Sequence, residues 1–329
     1  MFRDYKIIIG LAPTRRDNFP PPEEAVKNKK LFMPKLLSIL KSFHDVKIVD
    51  IDWLNEDGML YETEDVAKVE THFRQAGVDA VFMPHCNFGQ EEVVGKLGKA
   101  LGKPFLLWGP RDVAPPPNFA WRLTDTQCGL FASGKALARF GVPFTYVENC
   151  WVDAPVLKEE LDKFIRVVTI MKDLSGLRIG QISLRPRQFL SVIYNEDELL
   201  EKFGIEVVPI NAIEIMTTFN EVYAKKKDQI KILVKEITEA TDCSVMEKEA
   251  LNKIAALELS VVELARKYGL KALASECWSI FITNLGFPPC FVLGDLSEKA
   301  LPAACETDVH GAITSVILAA AARGETPTF

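Results

Sequence analysis

No glycine-rich phosphate loop occurs anywhere in the 329 residues, neither GxGxxG nor a P-loop, and the first strand-like run ends in Ile9-Gly-Leu-Ala-Pro-Thr-Arg-Arg with one glycine. That argues against a nucleotide cofactor. There is no GxSxG elbow, and the four histidines stand in no recognisable triad. The seven cysteines form no CxxC pair and are odd in number. Such usage suits buried free thiols in a reducing cytoplasm, rather than a disulfide framework or a zinc site. No apolar run reaches the roughly 18–20 residues of a membrane span. The run Ile313–Ala322 is short and Ala-rich and reads as a buried helix. Met1-Phe-Arg-Asp-Tyr-Lys runs straight into a strand without a signal-peptide pattern, so the chain is read as cytoplasmic. A net charge of −6 and a pI near 5.5 leave no basic footprint for nucleic acid. The Lys225-Lys226-Lys227 run reads as a solvated helix surface.

What is present is apolar content, 48% of the residues, enough for two cores. Strand-length apolar runs at Lys6–Leu11, Val46–Asp52, Asp79–Pro84, Phe105–Gly109 and Phe144–Val147 alternate with helical periodicity over Glu23–His44, Glu64–Ala76, Glu91–Leu101 and Gly129–Phe140. A long helix, Pro155–Lys172, leads to Leu174-Ser-Gly, where the alternation restarts. Leu177–Ser183, Ile205–Ile210, Leu270–Ser275 and Pro302–Cys305 follow as strands, with helices over Glu196–Lys202, Ala212–Ala240, Met246–Tyr268 and Asp308–Arg323. The pattern predicts an α/β chain of two doubly wound parallel-sheet domains in tandem, Rossmann-like or flavodoxin-like, over residues 1–174 and 175–329. Pro20-Pro-Pro22 and Pro115-Pro-Pro117 are loop punctuation.

In open sheets of this kind, function sits in the loops after the strands. After the first strand, Arg15 and Arg16 could hold an anion or sugar hydroxyls, or make ion pairs with Glu23 or Glu24 in a solvated loop. After the third, His85, Asn87 and Gln90 suit a polyol, or form a plain helix-entry turn. Glu276 and Trp278 follow a buried strand; Trp278 is either core or ligand wall. The stretch Leu301-Pro-Ala-Ala-Cys-Glu-Thr-Asp-Val-His-Gly-Ala carries Glu306, Asp308 and His310 on alternate residues at the end of a strand, a pattern suited to a hard divalent cation. A charge that ends a buried run needs a partner, which singles out Glu306. Asp308 is also a natural N-cap for the helix that follows.

Gly286-Phe-Pro-Pro-Cys-Phe-Val-Leu-Gly, the Glu306 stretch, and Ile317-Leu with Gly324-Glu-Thr-Pro-Thr-Phe together resemble the L-fucose isomerase and L-arabinose isomerase family, nearest to its L-fucose-isomerase-like members. Pro13-Thr-Arg-Arg is similar to that family's Pro-x-x-x-Arg loop. The resemblance implies a metal-dependent aldose–ketose isomerase, with Mn²⁺ or another divalent cation held by two carboxylates and a histidine. Proton transfer between C1 and C2 passes through an enediol, which calls for a carboxylate base beside a Lewis acid. By resemblance Glu306 is the first of those carboxylates, both ligand and proton-transfer residue. The implied assembly is a homotrimer or homohexamer in which the first domain covers a neighbour's site, so that Arg15, Arg16 and the His85–Gln90 loop act in trans.

The chain departs from the family pattern in two ways. The second carboxylate and the histidine would fall beyond Phe329, the histidine in a C-terminal β-rich domain, so the isolated chain is expected to be an inactive portion of an isomerase. The alternative is a non-catalytic sugar-binding or assembly module. Further, the fucose enzymes place an aromatic in the loop after the third strand, where this chain has His85-Cys86-Asn87, with Phe88 close by. An anionic sugar meeting Arg15 and Arg16 is a substrate consistent with that change.

Overall fold

The computed structural model describes all residues except 1–2, 19, 113–123 and 325–329. Pro115–Pro117 and the tail after Gly324 lie outside the described residues. The chain forms two compact units, Lys6–Thr169 and Ile170–Phe329, with Met1–Tyr5 joining the latter.

The first unit runs β1 (Ile7–Leu11), α1 (Pro22–Lys41), β2 (Val46–Asp50), α2 (Val66–Gln75), β3 (Ala80–Pro84), α3 (Glu91–Leu101), β4 (Phe105–Trp108), α4 (Thr126–Arg139), β5 (Phe144–Tyr146) and α5 (Pro155–Leu174), whose last turns pass into the second unit. Its sheet is wholly parallel in the order β2-β1-β3-β4-β5. β3 and β4 are buried at every residue, as a central parallel strand covered on both faces must be. One core packs Phe32 and Leu36 of α1 and Leu161 and Ile165 of α5 on one face. The other packs Val69 and Phe73 of α2, Leu97 of α3 and Leu137 of α4. Gly10 permits this closeness: a Cβ there would stand 2.6 Å from the Phe73 ring.

The second unit runs β6 (Arg178–Ile182), α6 (Glu196–Phe203), β7 (Glu206–Ile210), α7 (Ala212–Lys225), α8 (Lys227–Ala240), α9 (Lys248–Tyr268), β8 (Ala272–Ser275), a π-helical turn (Trp278–Ile282) continued by α10 (Thr283–Leu285), α11 (Cys290–Glu298), β9 (Ala303–Cys305) and α12 (Val309–Ala322). Its four strands are parallel in the order β7-β6-β8-β9. Asn195 and Asn211 cap α6 and α7 by accepting from the Glu198 and Glu214 amides. Both sheets are thus doubly wound, as the alternation of elements implies.

One expectation is corrected. The helix expected over Ala212–Ala240 is two helices, because Lys226 leaves helical geometry (φ −113°, ψ 39°). Its ammonium pairs with Glu263 of α9, and Lys227 lies 3.9 Å from the Tyr223 ring centroid, so the lysine run is pinned rather than merely solvated. Among the described residues no single helix is long and apolar enough to cross a membrane.

An ionic triad built on a buried glutamate ties α9 to α11. Lys299 Nζ lies 2.5 Å from both the Glu258 and the Asp295 carboxylates, and Glu258 is 2% exposed. Burial raises the Glu258 carboxyl to about 7, against the opposing pull of Lys299. Because the folded value lies above the unfolded one, the native state binds the proton more tightly, and this group's contribution to stability falls as pH rises from about 4.5 to about 7. Glu258→Gln, which mimics the protonated acid, should therefore raise stability at pH 8 by about 1–2 kcal/mol more than at pH 5. Urea unfolding of both proteins at the two pH values checks this; an equal effect at both would show that Glu258 does not titrate in this window.

Candidate functional site

A parallel sheet whose strand order reverses opens a crevice between the loops that diverge there. In the first unit the reversal lies between β1 and β3, so the loop after Leu11 meets the loop after Pro84. Thr14 stitches them: its amide donates to Pro84 O (2.9 Å), its hydroxyl to Leu60 O (2.8 Å), and its Oγ1 accepts from the Gln90 amide (3.3 Å). Asn87 is fully buried; its Nδ2 donates to Arg16 O and Pro20 O, and its Oδ1 accepts from the Arg16 and Gly89 amides. This side chain shapes the loop.

His85 is also fully enclosed. Its Nδ1 faces Met83 O (3.3 Å) and its Nε2 faces the Ser133 hydroxyl (2.9 Å), which fits a neutral ring donating from Nδ1 and accepting at Nε2. Burial pushes its pKa down to about 4. Arg15 is buried too, paired with Asp17 and with Asp57 (Nε to Oδ2, 3.0 Å), its guanidinium 3.5 Å from the Tyr61 ring centroid. Burial opposes its charge, but Asp17, Tyr61 and Asp57 hold its pKa above the ordinary value. So the ion-pair option holds for Arg15, with Asp17 and Asp57 in place of Glu23 and Glu24. These three residues have internal partners rather than an open face.

Arg16 and Gln90 differ. Both are half-exposed. The Arg16 guanidinium stacks 3.8 Å from the Phe88 ring centroid and makes no ion pair with a described residue. A cation held over an aromatic ring, with its donors unspent, is suited to a planar or tetrahedral anion. Sequence reasoning noted Phe88 only as a neighbour; the left-handed Gly89 after it, φ 78°, turns the loop there. The Phe88 backbone is itself locked, because Gly129 of α4 approaches so closely that a Cβ would lie 1.6 Å from Phe88 O. Gly129→Ala must displace the loop and is expected to cost about 1–3 kcal/mol. Unchanged urea stability would show that α4 can move away freely.

In the second unit, Ser275, Cys305 and the residues after them form the edge. Ser275 and Cys305 are register partners on β8 and β9. Glu276 is buried, and its carboxylate accepts from the Ser279 amide (2.7 Å) and the Ile280 amide (3.2 Å), opening the π-helical turn. Trp278 is 48% exposed and meets Phe189 edge-on at 5.2 Å. Asp308 caps α12, accepting from the Gly311 amide at 2.8 Å. His310 is exposed, its ring 6.5 Å from that of Tyr194.

Glu306 is the carboxylate without such a duty. Glu306 and Thr307 both sit in the left-handed region (φ 55° and 54°), which costs non-glycine residues about 1–2 kcal/mol each. The turn directs the side chain to Cys277, whose Sγ donates to Oε1 at 2.7 Å; Cys305 Sγ lies 3.6 Å from the same oxygen. Oε2 is shielded and has no hydrogen-bond partner. Burial and Glu306 both raise the pKa of the two thiols. Cys277 and Cys305 were not singled out from sequence, although each closely follows or ends a strand adjacent to the other's. The donors gathered at Glu306 are therefore one carboxylate and two thiols. That set does not by itself fit Mn²⁺, which favours oxygen and nitrogen ligands.

Fold and edge chemistry together define an α/β protein with ligand loops on two doubly wound sheets. The family model "Fucose/sulfoquinovose isomerase, N-terminal domain" matches residues 10–175, half of the chain, and the chain belongs to that family. Among curated proteins it is 27% identical to the sulfoquinovose isomerase of Priestia aryabhattai, over 76% of this chain and 54% of that one. The sulfoquinovose isomerase of Alkalicoccus urumqiensis is 25% identical over 76% and 55%, and that of Clostridium sp. (strain MSTE9) 27% over 72% and 52%. The chain spans about half the length of these relatives.

Proposed function

We propose that this chain is the part of a metal-dependent aldose–ketose isomerase that carries its proton-transfer carboxylate and its sugar-anion contact, and that the sugar is sulfonated, as the relatives' names suggest. The observation that carries the reading is Glu306: at an edge where Glu276 and Asp308 are spent on helix amides, it keeps one oxygen unbonded. A carboxylate so placed can take the proton from C2 of an open-chain aldose and return it to C1, giving the ketose through an enediol. The Cys277 thiol, bonded to the other oxygen, fixes the carboxylate's orientation. The Mn²⁺ implied by the family resemblance needs oxygen or nitrogen donors beyond those this chain brings to Glu306. Arg16, resting over the Phe88 ring, supplies the contact for the sulfonate, and Gln90 and Trp278 offer sugar-facing surface. In a homotrimer or homohexamer Arg16 would serve the sugar of a neighbouring subunit. The free thiols suit a cytoplasmic setting.

The test follows deuterium entry at C2 of sulfoquinovose in D₂O by NMR. In the complete enzyme Glu306→Gln should slow exchange by about a hundredfold or more. Arg16→Ala should raise KM for sulfoquinovose about tenfold or more while leaving that for glucose nearly unchanged, the loss of one charged hydrogen-bonding group. Full exchange in the Glu306 variant would remove the carboxylate from the mechanism, and an unaltered sulfoquinovose preference would return Arg16 to the solvated loop. The 329-residue chain alone, with so few hard donors at Glu306, should bind sugar without turnover. Ketose formation by the purified chain with added Mn²⁺ would overturn that, and binding without turnover in every assembled form would leave a sugar-binding module.

A further inference from the structure

We propose that Cys277, Cys305 and Glu306 form a binding site for a thiophilic divalent cation of the Zn²⁺ or Cd²⁺ type, distinct in chemistry from the hard-cation site that the family resemblance implies. The three ligand atoms all lie within 4.8 Å of one another. A tetrahedral zinc ion with sulfur and oxygen ligands sets sulfur–oxygen edges of about 3.5 Å. Cys305 Sγ already stands 3.6 Å from Glu306 Oε1, and Cys277 Sγ, at 2.7 Å, needs to open by less than about 1 Å to reach that edge. The second observation is the carboxylate itself, whose Oε2 is shielded from water with no partner. An ion held by Oε1 and the two sulfurs sets a positive charge against this incompletely satisfied carboxylate.

The backbone around the site is held. Cys305 is locked in register with Ser275, and the Thr307 hydroxyl donates to Glu306 O (2.6 Å). Cys305 is exposed, which gives the ion an entry path and leaves a fourth position for water. Binding displaces the two thiol protons: Zn²⁺ plus two thiols and one carboxylate gives a dithiolate–carboxylate complex and two protons. No oxidant is needed. Sulfur ligands select this class of cation over Mn²⁺, which the same donors would hold poorly. If Glu306 is the proton-transfer carboxylate proposed above, such an ion occupies it and blocks turnover; the binding site itself does not depend on that reading.

The test uses the reduced, metal-free 329-residue chain and Zn²⁺, Co²⁺ and Mn²⁺ as probes. Calorimetry is expected to show one Zn²⁺ bound per chain, with Mn²⁺ at least a hundredfold weaker. Co²⁺ should give a thiolate-to-metal charge-transfer band that Zn²⁺ abolishes. Cys305→Ser, at an exposed position, and Cys277→Ser should each remove the band and weaken Zn²⁺ binding at least a hundredfold, while Cys290→Ser leaves both intact. Circular dichroism of each variant confirms that the fold is retained; should Cys277→Ser fail to fold, Cys305→Ser and Glu306→Gln decide. The proposal is overturned if no charge-transfer band forms, if the band survives Cys305→Ser, or if Mn²⁺ binds as tightly as Zn²⁺. Loss of zinc binding in Glu306→Gln of this chain, with isomerase activity preserved in the same variant of the complete enzyme, would uphold this site while sinking the catalytic role of Glu306, so the two readings fail separately.

Discussion

Everything functional in this molecule depends on parallel strand pairing. When all strands of a sheet point the same way, every strand ends at one edge, and the helices that return the chain cannot cover that edge. Reversal of the strand order between β1 and β3, and between β6 and β8, then parts two loops and leaves a crevice. The functional side chains reach those edges because β3 and β8 are buried throughout and β1 and β9 are fixed in register against them, so that a residue just past each strand end has a defined place. Hydrophobic strands supply the rigidity, and the first polar residues beyond them supply the chemistry.

Much of the architecture was legible because its cause is local. Alternation of short apolar runs with helical periodicity leaves few arrangements other than a doubly wound sheet. The break at Lys226 was not legible, because the helical pattern runs unbroken through it and the partner that Lys226 meets there, Glu263, is distant in sequence. The same distinction separates the candidate residues. Asp308 reads as a cap from its neighbours in sequence, and it is one. For Arg15, His85 and Asn87 the sequence left ligand contact and internal pairing both open, because their partners Asp57, Ser133 and Pro20 lie in segments that only the fold brings near. Glu306 stood out because a charge ends an apolar strand; the thiols beside it did not, since cysteine in apolar company ordinarily signals packing.

The two edges use opposite electrostatic strategies. At the first, a cation is kept available by resting on an aromatic face, where it needs no anion of its own. At the second, an anion is kept partly unsatisfied by neighbours that are weak donors, since a thiol offers less than an amide or ammonium. Each arrangement lowers what an incoming ligand must displace. The Lys299 triad shows the contrast: there two carboxylates converge on a single ammonium of the same unit, which each of them meets at 2.5 Å.

Met1–Tyr5 belongs to the second unit, where Arg3 pairs with Asp173 and donates to Lys271 O at 2.7 Å, a seam between residues far apart in the chain. The unit Lys6–Thr169 is continuous and can fold as soon as it leaves the ribosome, whereas its companion is discontinuous and must wait for most of the remaining chain. Vectorial synthesis therefore builds the Arg16 edge before the Glu306 edge. A tag or extension fused ahead of Met1 would press on the later-forming unit, not on the one that follows it in sequence.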